Sequence, residues 1–113
     1  MNNLSLLSTL FEYPDNYPTV FQANAERYFD SSDIHILRYK KEIEGSRYDK
    51  LYYYKVPKLL EYVKSCKNLK DYILFLDATD TNFYKDPSNM VTDFLKYDCK
   101  ALFCGDPHIW PKT

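Results

Sequence analysis

Tyr72-Ile73-Leu74-Phe75-Leu76-Asp77 sets five apolar or aromatic residues in a row directly before a carboxylate. A run this short and this apolar is the pattern of a strand covered on both faces, as in a parallel sheet. Toward the N-terminus, Tyr52, Val56, Leu59, Leu60 and Val63 recur at helical spacing. Pro57 belongs in a first helical turn, so the helix is expected to start near Val56, with Tyr52-Tyr53-Tyr54 extended before it. Asp33-Ile34-His35-Ile36-Leu37-Arg38 begins with alternation and reads as an earlier strand. Before that, Phe21, Ala25, Tyr28 and Phe29 make another helical stripe, with Pro18 suited to its first turn. Leu4 to Leu10 is again short and apolar, closed by the proline-bearing run Glu12 to Pro18, and reads as the first strand. Toward the C-terminus, Asp86-Pro87 has cap-then-proline chemistry, followed by the stripe Met90, Val91, Phe94 and Leu95. Ala101-Leu102-Phe103-Cys104, ended by Gly105, is expected to be a fourth strand.

Strands and helices alternating through about four strands predict an α/β fold, a Rossmann-like parallel sheet with right-handed crossovers. At 113 residues the chain is expected to be a single domain, 1–113. Sheets of this kind bind ligands beyond the carboxyl ends of their strands. The residues just after Leu10, Leu76 and Cys104 are therefore the candidates for function.

Composition narrows the classes. Hydrophobic residues make up 45% and charged residues 27%, a globular rather than a disordered balance. Aromatic content is high, with 12 Tyr, 7 Phe and 1 Trp, while Gly45 and Gly105 are the only glycines. Two glycines cannot build a Gly-rich phosphate loop. With 15 Lys+Arg against 16 Asp+Glu, no basic excess favours nucleic acid, which is not an expected partner. Cys66, Cys99 and Cys104 are odd in number and lack CxxC spacing, so neither a disulfide framework nor a structural zinc site is expected. No apolar stretch approaches the roughly 20 residues of a membrane helix. The opening run has no basic region or small-residue cleavage site. The expected localisation is cytoplasmic, if this is the full chain, with no membrane partner.

The strand ending in Asp77 continues Ala78-Thr79-Asp80-Thr81-Asn82-Phe83. A turn would bring Asp80 to the side of Asp77, and two carboxylates held together repel unless a proton or cation intervenes. Oxygen-only ligands favour Mn²⁺ or Mg²⁺, which keeps positions open for the phosphate oxygens of a substrate. The chemistry indicated is departure of a diphosphate with its charge offset by the metal. The plainer alternative is that Asp77 caps a turn and Asp80 is solvated, since acidic residues at strand ends are common.

The block from Tyr72 to Phe83 resembles the DxxD strand-end motif of the lysyl hydroxylase/procollagen glycosyltransferase group. A second block, Ala101 to Pro111, resembles that group's strand followed by an acidic-Pro-x-x-Trp-Pro turn, here Asp106-Pro107-His108-Ile109-Trp110-Pro111. Lys55-Val56-Pro57-Lys58-Leu59-Leu60 is similar to the group's helix-opening segment beside the nucleotide, and Leu6-Leu7-Ser8-Thr9 to its first strand.

The resemblance implies a GT-A type glycosyltransferase fold using a UDP-sugar and Mn²⁺. Carried over, Asp77 and Asp80 match the metal- and diphosphate-associated aspartates, and Thr9 and Val56 match positions near the uridine. Lys55 adjoins that segment. Thr79 stands before the second aspartate, where the group often has an aromatic residue. Asp106 and Trp110 become acceptor-side candidates, facing a saccharide or hydroxylysine-type acceptor. No catalytic residue is assigned. The group's domains continue past the Trp-Pro turn and this chain stops at Thr113, so it resembles the nucleotide-binding half only. A half-sheet would leave an edge favouring self-association.

Two alternatives stand beside this reading. One is a non-catalytic, glycosyltransferase-like binding module. The other is a haloacid-dehalogenase-type phosphohydrolase. That signature resembles DxDx[TV] on a first strand, and Asp77-Ala78-Thr79-Asp80 is one residue too long between its aspartates. Single residues have plainer readings too. Trp110 could plug the sheet end rather than stack on a sugar, and Tyr52 to Tyr54 could be a half-buried edge rather than a saccharide groove. Cys104 could be core packing, and the strand residue His35 reads as structural.

Overall fold

In the computed structural model, residues 3–11, 20–39, 56–78 and 81–103 are described. Strand β1, Leu4–Phe11, is central, flanked by β2, Ile34–Tyr39, and β3, Tyr72–Phe75. Both neighbours run parallel to it, with Leu7 opposite His35 on one side and Phe75 on the other. The chain is thus mixed α/β with a three-stranded parallel sheet in the order β2-β1-β3.

Alternation along β1 puts Leu4, Leu6, Ser8 and Leu10 on one face and Ser5, Leu7 and Thr9 on the other. Leu4, Leu6 and Leu10 are buried with Phe21, Ala25, Phe29 and Ala78, and with the flanking Ile34, Ile36, Leu74 and Leu76. Phe21 and Ala25 belong to helix α1, Val20–Ala25, and Phe29 continues their stripe in the turn that follows. The opposite face buries Ser5 and Leu7. There His35, the register partner of Leu7, meets Tyr62 of helix α2, Pro57–Ser65. Central strands covered on both sides read as unbroken apolar runs, which is why the alternation signal is faint.

Helix α2 has Val56 at its N-cap and Pro57 in its first turn, where the missing N–H leaves no intrahelical bond unmade. Asp86 accepts a hydrogen bond from the Ser88 N–H at 2.9 Å, capping the 3-10 turn Pro87–Asn89 that leads into α3, Met90–Phe94. Phe94 then meets Tyr72 edge-on at 6.1 Å, which seats α3 on the sheet.

Two buried serines of β1 bracket β3. Ser5 Oγ accepts from the Lys70 N–H at 2.9 Å, just before β3, and the Ser8 hydroxyl donates to the Leu76 carbonyl just after it. Each satisfies a hydroxyl that would be costly to bury alone. Beside them Asp33, only 4% exposed, pairs with Lys70 at 3.8 Å.

The expected fourth strand is corrected. Residues 101–103 form no strand, and Leu102 and Phe103 are 57% and 88% exposed. Apolar composition supplies β propensity, but a strand exists only on a partner's ladder, and no described strand takes these residues. Cys104, the charged connector from Lys40 to Lys50 and the Tyr52 to Tyr54 segment lie outside the described residues. Among the described residues no helix is long and apolar enough to cross a membrane.

Candidate functional site

The chain leaves β1 toward β2 on one side and later crosses back to β3 on the other. The strand order therefore reverses between β1 and β3, and a parallel sheet opens a crevice at such a switch point, beyond the carboxyl ends of the two strands. Leu7 pairs with Phe75, the last residue of β3, and the Leu76 N–H donates to the Leu7 carbonyl at 3.2 Å, so Thr9 of β1 and Asp77, two residues beyond β3, follow at the same end of the sheet. Leu37 of β2 is the partner of Thr9 on its other side. Both Thr9 and Asp77 are half-buried.

The segment that follows is held at two points. Ala78 is buried in the core directly after Asp77. Beyond it, Phe83 is clamped by the Asn24 amide of α1. The Phe83 N–H donates to Asn24 Oδ1 at 2.5 Å, and Asn24 Nδ2 donates to the Phe83 carbonyl at 3.2 Å. The Phe83 ring packs among Phe21, Tyr28 and Phe29, with centroids 6.4, 6.0 and 5.7 Å away. Ala78 and Phe83 are therefore both anchored to the core, on either side of the Thr79-Asp80 segment.

Of the residues the sequence singles out, the structure brings Asp77 and Thr9 to one edge. Val56 sits at the start of α2 and is 63% exposed. Thr79 and Asp80 lie outside the described residues, as do Lys55, Asp106, His108 and Trp110. Asp77 offers one carboxylate, the oxygen donor that Mn²⁺ or Mg²⁺ takes. Among the described residues no three His, Cys, Asp or Glu side chains gather as a metal cluster. A shallow groove of about 200 Å³, lined by Gln22, Glu26, Ser31, Ile34, Ile36 and Arg38, runs along β2 and includes neither Thr9 nor Asp77.

Sequence reasoning missed Asn24, Phe83 and Ser8, which position this edge. Asn24 stands in the helical stretch as one more polar residue, and its partner is 59 residues away. No local pattern announces such a pair. A second polar cluster lies on the α2 face of the sheet. His35 Nδ1 is 2.6 Å from the Tyr62 hydroxyl, which is 3.5 Å from Cys66 Sγ. Burial lowers the His35 pKa, partly opposed by the Asp33 carboxylate. Burial together with the Cys66 contact pushes Tyr62 up to about 12. The Tyr62 hydrogen bond and the Asn68 and Leu69 backbone hold the Cys66 thiol below its ordinary pKa, partly opposed by burial. The structural reading of His35 agrees with this placement between strand and helix.

No protein-family model, curated protein or solved structure matches the chain.

Proposed function

We propose that this chain is a glycosyltransferase, or the donor-binding half of one, that holds a UDP-sugar through a divalent metal at the DxxD motif. The observation that supports the reading is that Asp77 follows β3 directly at the carboxyl end of the sheet, at the switch point between β3 and β1, the strand that carries Thr9. In this reading the sheet is a truncated GT-A type fold, and Asp77 and Asp80 together hold Mn²⁺ or Mg²⁺ against the diphosphate. The metal would offset the negative charge of a departing diphosphate. Thr9, Lys55, Val56 and Thr79 would line the nucleotide. Asp106 and Trp110 would face a saccharide or hydroxylysine-type acceptor. The anchoring of the loop by Ala78 and Phe83 supports the reading, because a carboxylate repelled by a diphosphate must be held in place until the cation binds.

Calorimetric titration of UDP, with and without Mn²⁺, tests it on the wild-type chain and on Asp77→Asn and Asp80→Asn. The expected result is binding that needs the metal and is weakened roughly tenfold or more by either substitution. UDP affinity that is equal without metal, or unmoved by both substitutions, would count against the reading.

A further inference from the structure

Helix α2 carries no fully buried residue, so apolar burial holds it to the sheet only weakly. Between α2 and β2, His35 Nδ1 lies 2.6 Å from the Tyr62 hydroxyl, with the two rings edge to face at 5.8 Å. The other ring nitrogen, Nε2, is buried without a hydrogen-bond partner. We propose that His35 and Tyr62 form a pH-sensitive clasp, and that protonation of His35 releases α2 from the sheet while the sheet itself remains folded.

The argument is one of donor and acceptor accounting. In neutral imidazole one nitrogen accepts and one donates, so Nε2 can be left as a bare acceptor while Nδ1–H donates to the Tyr62 oxygen. Imidazolium has two N–H donors. Its Nε2–H would then be buried with no acceptor, in addition to the cost of burying the charge itself. Lifting α2 lets water reach that proton, so the released state takes it up more readily.

The surrounding groups set the balance. Asp33, in the turn before β2, attracts the imidazolium, but its carboxylate is already paired with Lys70 at 3.8 Å. From α2 come Tyr62 and, through it, Cys66, while Tyr39 at the end of β2 lies near enough to act on Tyr62. From β1 the register partner of His35 is Leu7, which carries no charge. Burial prevails over Asp33, and the His35 pKa is lowered in the docked state. The sign follows. The released state binds more protons, so docking is fully favoured above the ordinary histidine pKa of about 6.5 and weakens progressively as pH falls below it.

Hydrogen exchange of the full chain at about pH 7.5 and about pH 5, corrected for the intrinsic pH dependence of exchange, reads the clasp directly; protection of α2 amides such as Leu60 and Cys66 is expected to fall roughly tenfold at the lower pH. Amides of β1 should keep their protection. In His35→Gln, which cannot titrate, the fall should vanish. Tyr62→Phe, which keeps the ring contact, should loosen α2 already at the higher pH. Equal α2 protection at both pH values overturns the proposal, as does the same fall in His35→Gln. Loss of β1 protection in step with α2 would mark ordinary acid unfolding and also overturns it. Should His35→Gln fail to fold, NMR titration of the wild-type His35 ring decides, since a midpoint at or above that of a free histidine overturns the clasp.

Discussion

Replacing Asn24 with alanine should remove the clamp on the loop that leaves β3. The side-chain amide makes two hydrogen bonds to the backbone of Phe83, at 2.5 and 3.2 Å, across 59 residues of sequence. Each such bond contributes about 1 kcal/mol net, and the orphaned Phe83 N–H and carbonyl add a desolvation cost where water does not reach them. Phe83 is half-buried, so water relieves part of that cost and the total comes to about 2 kcal/mol. For a chain of this size that corresponds to a fall in Tm of roughly 10 °C. Urea unfolding monitored by tyrosine and tryptophan fluorescence gives the value, provided the m-value is unchanged from wild type. Asn24→Asp keeps the acceptor for the Phe83 N–H and loses the donor to its carbonyl, so it should fall between wild type and Asn24→Ala. If the loop presents Asp80 as proposed, Asn24→Ala should also weaken Mn²⁺-dependent UDP binding. A change in unfolding free energy below about 0.5 kcal/mol for Asn24→Ala would refute the clamp, because it would put the amide bonds in the range of a surface substitution.

Leu6→Ala, at a fully buried position in the central strand, should cost about 3–5 kcal/mol in the same denaturation experiment, and a loss under about 1 kcal/mol would show that the core around β1 collapses into the space. Ser5→Ala removes the acceptor for the Lys70 N–H and should cost about 1–2 kcal/mol, with exchange of the Lys70 amide roughly tenfold faster. Unchanged exchange there would mean that β3 is held in register without the serine.

Much of the architecture was legible in short segments, and the reason differs from one to the next. Tyr72 to Leu76 is too short and too apolar for an amphipathic helix, so the strand at Tyr72–Phe75 follows from length and composition together, although Ile73 is exposed and no residue of that strand is fully buried. The Pro57 ring sets both its own conformation and the start of α2. Asp86-Pro87 likewise announces the capped turn before α3, because a carboxylate acceptor followed by a residue without an N–H fits a helix start. Ala101 to Phe103 looks equally strand-like and is not a strand. The difference is a partner, which no property of those residues encodes.

The candidate site divides along the same line. That an apolar strand leads into Asp77, with a second aspartate three residues on, is a matter of one-dimensional order. That Asp77 and Thr9, 68 residues earlier in the chain, come to the same end of the sheet depends on the order β2-β1-β3 and on the Leu7–Phe75 register. Periodicity shows that a strand exists but not which strand it lies against, since every strand offers the same backbone donors and acceptors. The hold of Asn24 on Phe83, the Ser5 and Ser8 bonds that bracket β3 and the His35–Tyr62 contact are all long-range pairings of ordinary polar residues. Local sequence carries the propensity of each element. The matching of distant donors and acceptors appears only once the chain has folded them into reach.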